Sequence, residues 1–164
     1  MTTSLRDGLS PALRNVQTRP LFVMRLDVRP LQIIGAAPGA YRRVGPVSGG
    51  VFEGERLSGL VLDGGADWQT VRSDGSTTLD VRLVLETSDG ALIGMTYRGI
   101  RHGTADVIAR VEKGEVVDPG DYYFRIAPLF ETAATRYGWL NNVVAIGIGD
   151  RRADGPVYSI FEVL

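Results

Sequence analysis

The segment TLDVRLVLETSDGALIGMTYRGI, residues 78–100, decides how the rest of the chain is read. In its first half Leu79, Val81, Leu83 and Leu85 alternate with Asp80, Arg82, Val84 and Glu86, the period of two that sends successive side chains to opposite faces of a strand. Asp89 and Gly90 then interrupt the run as a two-residue reversal, the kind that needs positive φ at both central positions, and a second strand-like run follows. The segment therefore predicts a β-hairpin pairing 78–87 with 91–100.

The same punctuation extends in both directions. RSDGST repeats the Asp-Gly device at Asp74 and Gly75, and EKGE and DPGD mark strand ends near residues 112 and 120. Twenty-one glycines and eight prolines fall at short intervals, and the stretches between them favour valine, isoleucine, leucine and aromatics. Strand-like runs lie at 21–29, 31–36, 49–54, 56–64, 67–73, 78–87, 91–100, 105–112, 121–130, 142–151 and 157–164. With no long helical pattern among them, the expectation is an all-β fold, a barrel or sandwich. A single antiparallel β-barrel of about 8–10 strands is preferred, because closure removes the exposed edges that so many strands would present. Residues 1–20 read as an N-terminal arm, in which SLRDGLSPALRN could form a short helix with Ser10 as cap before Pro11, and residues 21–164 read as the barrel domain.

Composition bounds the function. A chain of 164 residues suits one domain, and 44% hydrophobic with 23% charged residues is ordinary for a globular protein. The net charge of −1 gives no global field to attract nucleic acid or an anionic membrane, and no apolar run approaches membrane-spanning length. The first residues lack a basic-then-apolar leader pattern, so a cytoplasmic location is expected. Every basic residue except Lys113 is arginine, and the arginines are spread along the chain instead of clustered, which favours a compositional origin over a dedicated anion clamp. With no cysteine and a single histidine, neither disulfides nor a usual zinc or copper site is expected, and no metal or cofactor is assigned.

The carboxylates sort into turns and candidates. Asp74 and Asp89 each precede a turn glycine, where a short carboxylate bonds the backbone. Asp67 and Trp68 follow the flexible DGGA and could either hold a ligand at a barrel mouth or serve as turn and core. For the row Asp80, Arg82, Val84, Glu86 the solvated orientation is favoured over a polar lumen, because buried ions are costly unless paired. The same two orientations are open for Tyr123 and Arg125 against Phe124, Ile126 and Phe130. Glu131 sits beside an aromatic at a strand end, near Tyr137, Trp139, Asn141 and Asn142, where desolvation could raise its pKa toward that of a general acid or base. His102, flanked by glycine, reads as a surface residue.

The stretch GGADWQTVRSDGSTTLDVRLVLETSDGALIGMTYRG, followed by YYFRIAPLFET, YGWLN, VAIGIG and VYSIFEVL, resembles the bacterial and fungal family called domain of unknown function 3237, also grouped as an uncharacterised UPF family. The similarity runs from about residue 20 to residue 164 and implies a compact antiparallel β-barrel. It implies no activity. Its motif falls on Asp67, Trp68, Asp74, Gly75, Arg82, Asp89, Gly90, 130–132, 139–141 and Glu162.

Two functions are carried forward. The first is a cofactor-independent acid–base enzyme, an isomerase, cyclase or lyase acting on a small aromatic or carbonyl compound in the lumen. In it Glu131 or Asp67 moves the proton, Arg82 with Tyr123 or Asn141 stabilises the developing oxyanion, and Trp68 and Trp139 hold the substrate. The second is a non-catalytic barrel binding a small apolar or aromatic ligand. Self-association is left open, as is a purely structural barrel. The deciding observation is whether Asp67, Arg82 and Glu131 converge on one cavity.

Overall fold

The computed structural model describes residues 4–164 as ten strands and one α-helix: β1 (Thr18–Val28), β2 (Gln32–Ala37), β3 (Ala40–Glu53), β4 (Ser58–Val61), β5 (Gly65–Val71), β6 (Thr77–Thr87), β7 (Leu92–His102), α1 (Ala105–Glu112), β8 (Tyr123–Glu131), β9 (Ala145–Arg152) and β10 (Gly155–Val163). The strands close antiparallel into an eight-membered barrel in which β1 pairs β10 on one side and β3 on the other. Between β3 and β6 one place in the ring is shared: β4 pairs the end of β3 and β5 its beginning, and both pair β6. β2 extends the sheet beyond the ring along the first half of β3.

The long strand β3 changes partners near Gly50. A Cβ there would lie 2.2 Å from the Arg25 carbonyl oxygen at φ +150°, so the close approach of β1 requires glycine. The first half of β3, AYRRVGPVS, is strand although the glycine and proline within it read as punctuation. Conversely, 105–112 is helix and not strand. Thr104 caps it by accepting from the Val107 N–H, and Val107 and Val111, one turn apart, pack toward the core. The N-terminal segment shows a single 3₁₀ turn at Pro11–Leu13, where the Ser10 side chain makes no capping bond, and β1 begins at Thr18, within the stretch read as an arm.

The β6–β7 hairpin forms in the expected register, with Glu86 opposite Leu92 and Leu79 opposite Gly99. Its turn has one positive-φ residue, Gly90, not two; Gly90 N–H donates to Thr87 O and Thr87 N–H to Ala91 O, a three-residue loop. Asp89 accepts from Thr87 Oγ1 and the Tyr137 hydroxyl, and Asp74 accepts from the Ser76 N–H and Oγ, so both carboxylates fix turns.

Leu79, Val81, Leu83 and Leu85 point into the barrel, and Asp80 and Arg82 point to solvent. The interior is filled at the end formed by the start of β1 and the end of β10. Phe22 meets Phe52 and Phe130 there at ring-centroid distances of 5.3 and 6.0 Å, and Leu140 and Tyr137 from the 3₁₀ segment Thr135–Asn142 join the same core. At the opposite end, beside α1, the packing opens. Among the described residues no helix is long and apolar enough to cross a membrane.

Candidate functional site

The open end holds a cavity of about 310 Å³ inside the barrel, with an apolar wall that includes Leu26, Val47 and Phe124 and a polar wall of Asp67, Gln69, Tyr97, Arg101, Arg151 and Tyr158. Strand alternation places these groups. On β5 Asp67 and Gln69 face inward, and Trp68 between them faces out. On β7 the inward row Ile93, Met95, Tyr97 continues through Gly99 to Arg101, so a guanidinium takes the last position of an apolar series. Tyr158 reaches the same space from β10, its ring 5.6 Å from that of Tyr97 and 5.3 Å from Phe124.

Between Asp67 and Thr70 the β5–β6 ladder is interrupted, and the Asp80 N–H donates to Asp67 Oδ1 at 3.3 Å. Gln69 Nε2 donates to Asp67 Oδ2 at 2.7 Å, and Gln69 Oε1 accepts from Arg43 Nε at 2.7 Å. Arg43 in turn grips Glu112, the last residue of α1, with both terminal nitrogens at 3.0 and 2.9 Å. Arg101 binds the same Glu112 oxygen from inside the barrel. A continuous polar chain thus runs from Asp67 through Gln69 and Arg43 to Glu112 and back to Arg101.

Burial lifts the Asp67 carboxyl to about 6, against the lowering by Gln69, the Asp80 amide and the charges of Arg101 and Arg43. Burial also drives Tyr97 and Tyr158 upward, aided by the negative charge of Asp67, so both keep their protons; Tyr97 donates toward Tyr158, whose own hydroxyl proton is the free one. Burial raises Glu112 too, but Arg43 and Arg101 outweigh it and hold the carboxylate below its ordinary value. The outcome is a partly enclosed space that holds one carboxyl raised to about 6 and a coupled pair of protonated tyrosines. Such a set can accept a proton, return it and stabilise an oxyanion between the two events.

Of the seven residues singled out from sequence, Asp67 alone enters this cavity. Asp67, Arg82 and Glu131 do not converge on one cavity, and period two is the reason: Asp67 pairs across with inward Val81, which sends Arg82 to the outer face. Ile126 and Phe130 point inward on β8, so Glu131 is exposed outside opposite Gly94. Tyr123 is likewise external, 45% exposed, stacked on His102 and lying under Arg125. Trp68 is 54% exposed and lines, with Ile100, Tyr123, Ile146 and Ile148, a wide concavity of about 970 Å³ on the outside of the sheet. That outer surface is larger, but none of its side chains is a buried titratable group. Trp139 packs at the filled end beneath Arg56, 4.2 Å from ring centre to guanidinium carbon. Asn141 bridges the Thr132 N–H and carbonyl at 2.8 and 2.9 Å, fixing the chain after β8.

The residues that sequence reading passed over are Tyr97, Arg101, Glu112 and Tyr158. A signal existed for two of them. Arg101 and Tyr158 are polar-headed residues in phase with an inward apolar row, Ile93-Met95-Tyr97 in one strand and Ile160 in the other. Glu112 was hidden because its segment was read as a strand.

Comparison with known proteins agrees with this architecture. The chain is 34% identical over 149 residues to a UPF0311 protein of Rhodopseudomonas palustris, covering 91% of this chain and 97% of that protein. The crystal structure of the conserved protein of unknown function from that organism superposes with a TM-score of 0.89, covering 92% of this chain and 99% of that one. A β-barrel-like protein of Acinetobacter baumannii, 38% identical, superposes at 0.82 over 94% of this chain and 100% of that one. A hydroalkoxylation enzyme of Penicillium herquei is 28% identical over 127 residues, covering 77% of this chain and 70% of that enzyme. Residues 16–163 match the family described as Protein of unknown function (DUF3237), and the chain belongs to that family.

Proposed function

We propose that this protein is an acid–base enzyme that adds a hydroxyl group across a conjugated carbon–carbon double bond of a small aromatic carbonyl compound bound at the open end of the barrel. The observation that carries the reading is Asp67, a carboxyl enclosed in the cavity, raised to about 6 and faced by two protonated tyrosines. In its ionised form Asp67 takes the hydroxyl proton, and the freed oxygen pair forms the new C–O bond. The π electrons move onto the conjugated carbonyl oxygen, which Tyr158 holds by donation while Tyr97 donates to Tyr158 in turn. Asp67 then returns the proton to the α-carbon, so that O–H is added overall and the carboxylate is restored. The hydroalkoxylation named for the Penicillium relative supports this reaction class. The apolar wall supports an aromatic substrate.

The test is cyclisation of 2′-hydroxychalcone, followed by loss of its visible absorbance. The protein is expected to accelerate ring closure, with a rate that rises through about pH 6 as Asp67 ionises. Asp67→Asn is expected to abolish the acceleration and to leave probe binding intact. Binding without turnover by the unaltered protein would instead make it a carrier of such compounds.

A further inference from the structure

Among the described residues, one buried side-chain polar atom has no partner: Nε of Arg101. The Arg101 side chain is 5% exposed, lines the cavity and is tied to Glu112 through one terminal nitrogen, so the guanidinium is only partly satisfied. A desolvated guanidinium with donors left unaccepted is costly, and an anion on the cavity side of Arg101 offsets that cost. Charge points the same way. Around the cavity Arg43, Arg101 and Arg151 face the two carboxylates Asp67 and Glu112, an excess of one positive charge even with Asp67 ionised. Arg29, also at the rim, is neutralised by Asp63 at 2.7 Å and adds nothing to this excess. In a partly enclosed, low-dielectric space that excess favours an anion over a neutral isostere.

We infer that the compound bound in the barrel carries an ionised oxygen group, a carboxylate or a phenolate, that accepts a hydrogen bond from the cavity face of the Arg101 guanidinium and is distinct from the hydroxyl that reacts. The inference rests on the acid–base reading of the same cavity and specifies its substrate class. The network through Glu112 gives the anchor its direction. Glu112 occupies one terminal nitrogen of Arg101, which leaves the rest of the guanidinium's cavity face to the anion. An anion held at Arg101 lies in the same cavity as Asp67 and the two tyrosine hydroxyls, so one end of the substrate is fixed while the other meets the proton-transfer group. Arg101 is then a positioning and specificity residue, and Asp67 the group that touches the reacting atoms.

The experiment measures affinity of the full chain at about pH 8 for four probes: 4-nitrobenzoate and 4-nitrophenolate, and their neutral counterparts 4-nitrobenzamide and 4-nitroanisole. At least one anion is expected to bind about tenfold or more tightly than its neutral counterpart, and which anion wins identifies a carboxylate or a phenolate as the anchor. Arg101→Gln is expected to remove that preference, weakening the anion about tenfold to a hundredfold and the neutral probes by less than about twofold. Should Arg101→Gln alone fail to fold, the double variant Arg101→Gln with Glu112→Gln removes both charges together, and the probe comparison on the unaltered protein stands without either. Neutral probes binding as tightly as both anions, or an Arg101→Gln protein that keeps the preference, overturns the inference. Loss of turnover in Asp67→Asn is scored separately, so the acid–base reading and the anion anchor fail on different measurements.

Discussion

The two ends of this barrel each enclose a carboxylate, and the two are in opposite electrostatic states. At the filled end Glu162, 7% exposed, accepts from Arg19 at 2.9 Å and from Arg56, which also covers Trp139. Burial alone would raise it, but the hydrogen bonds from Arg56 and Arg19 hold it below its ordinary value. At the open end Asp67 receives only two amide donors, from Gln69 and Asp80, and stays raised. The guanidiniums that could have quenched it, Arg43 and Arg101, are committed to Glu112. The contrast teaches that the barrel does not lack cations at its open end. It directs them to a neighbouring acid, which leaves the Asp67 carboxyl raised; at the filled end the same residue types make a structural tie.

The largest effect expected from breaking this contrast is at Asp67. Asp67→Asn removes the group proposed to move the proton and is expected to lower turnover by about 10²–10⁴, measured on the cyclisation probe. Next comes the packing that makes one end solid. Phe52, fully buried between Phe22 and the core, is expected to cost about 3–5 kcal/mol when replaced by alanine, read as a lower urea midpoint at unchanged slope.

The pH dependence separates the two acids further. A carboxyl whose folded value is raised binds its proton more tightly folded than unfolded, so its contribution falls as pH rises from its ordinary 3.8 through about 6. Relative to Asp67→Asn, the unaltered protein is expected to lose about 3 kcal/mol across that window, measured by urea unfolding at successive pH values. Glu162 has the opposite sign: its contribution is present above its ordinary 4.5 and is lost as pH falls through its lower folded value. Glu162→Gln is expected to cost about 1–2 kcal/mol near pH 7, discounted because Arg19 and Arg56 are partly in solvent, and the deficit should vanish in acid. The smallest effect belongs to Glu131. Exposed on the outer face, it is expected to change neither turnover nor stability beyond about 0.5 kcal/mol when replaced by glutamine.

How far the sequence reveals this molecule follows from what alternation can and cannot encode. The period-two pattern of residues 78–87 and the two Asp-Gly turns locate a hairpin, and repeated punctuation locates most of the other strands. Alternation leaves open which face is inside until a neighbouring strand is known. Asp80 with Arg82 and Tyr123 with Arg125 were ambiguous for that reason, and Glu131 seemed enclosed because aromatic neighbours in sequence lie on the opposite face of its strand. Asp67 was legible as a candidate because the glycines before it free the backbone without explaining the acid. Its partners were not, since Gln69, Arg43, Glu112 and Arg101 come from three strands and a helix and meet only after closure.

The break in the β5–β6 ladder has one more consequence. The Asp80 side chain stands in solvent on the outer surface, yet its backbone N–H is spent on the Asp67 carboxylate inside. An amide donating to a carboxylate is more polarised than one donating to a neutral acid. The Asp80 amide proton therefore carries the interior charge through the thickness of the wall: its resonance moves when Asp67 gains or loses a proton, whether pH or an arriving ligand is the cause. The barrel contains its own titration indicator, one residue wide, reporting outward on a partly enclosed chamber.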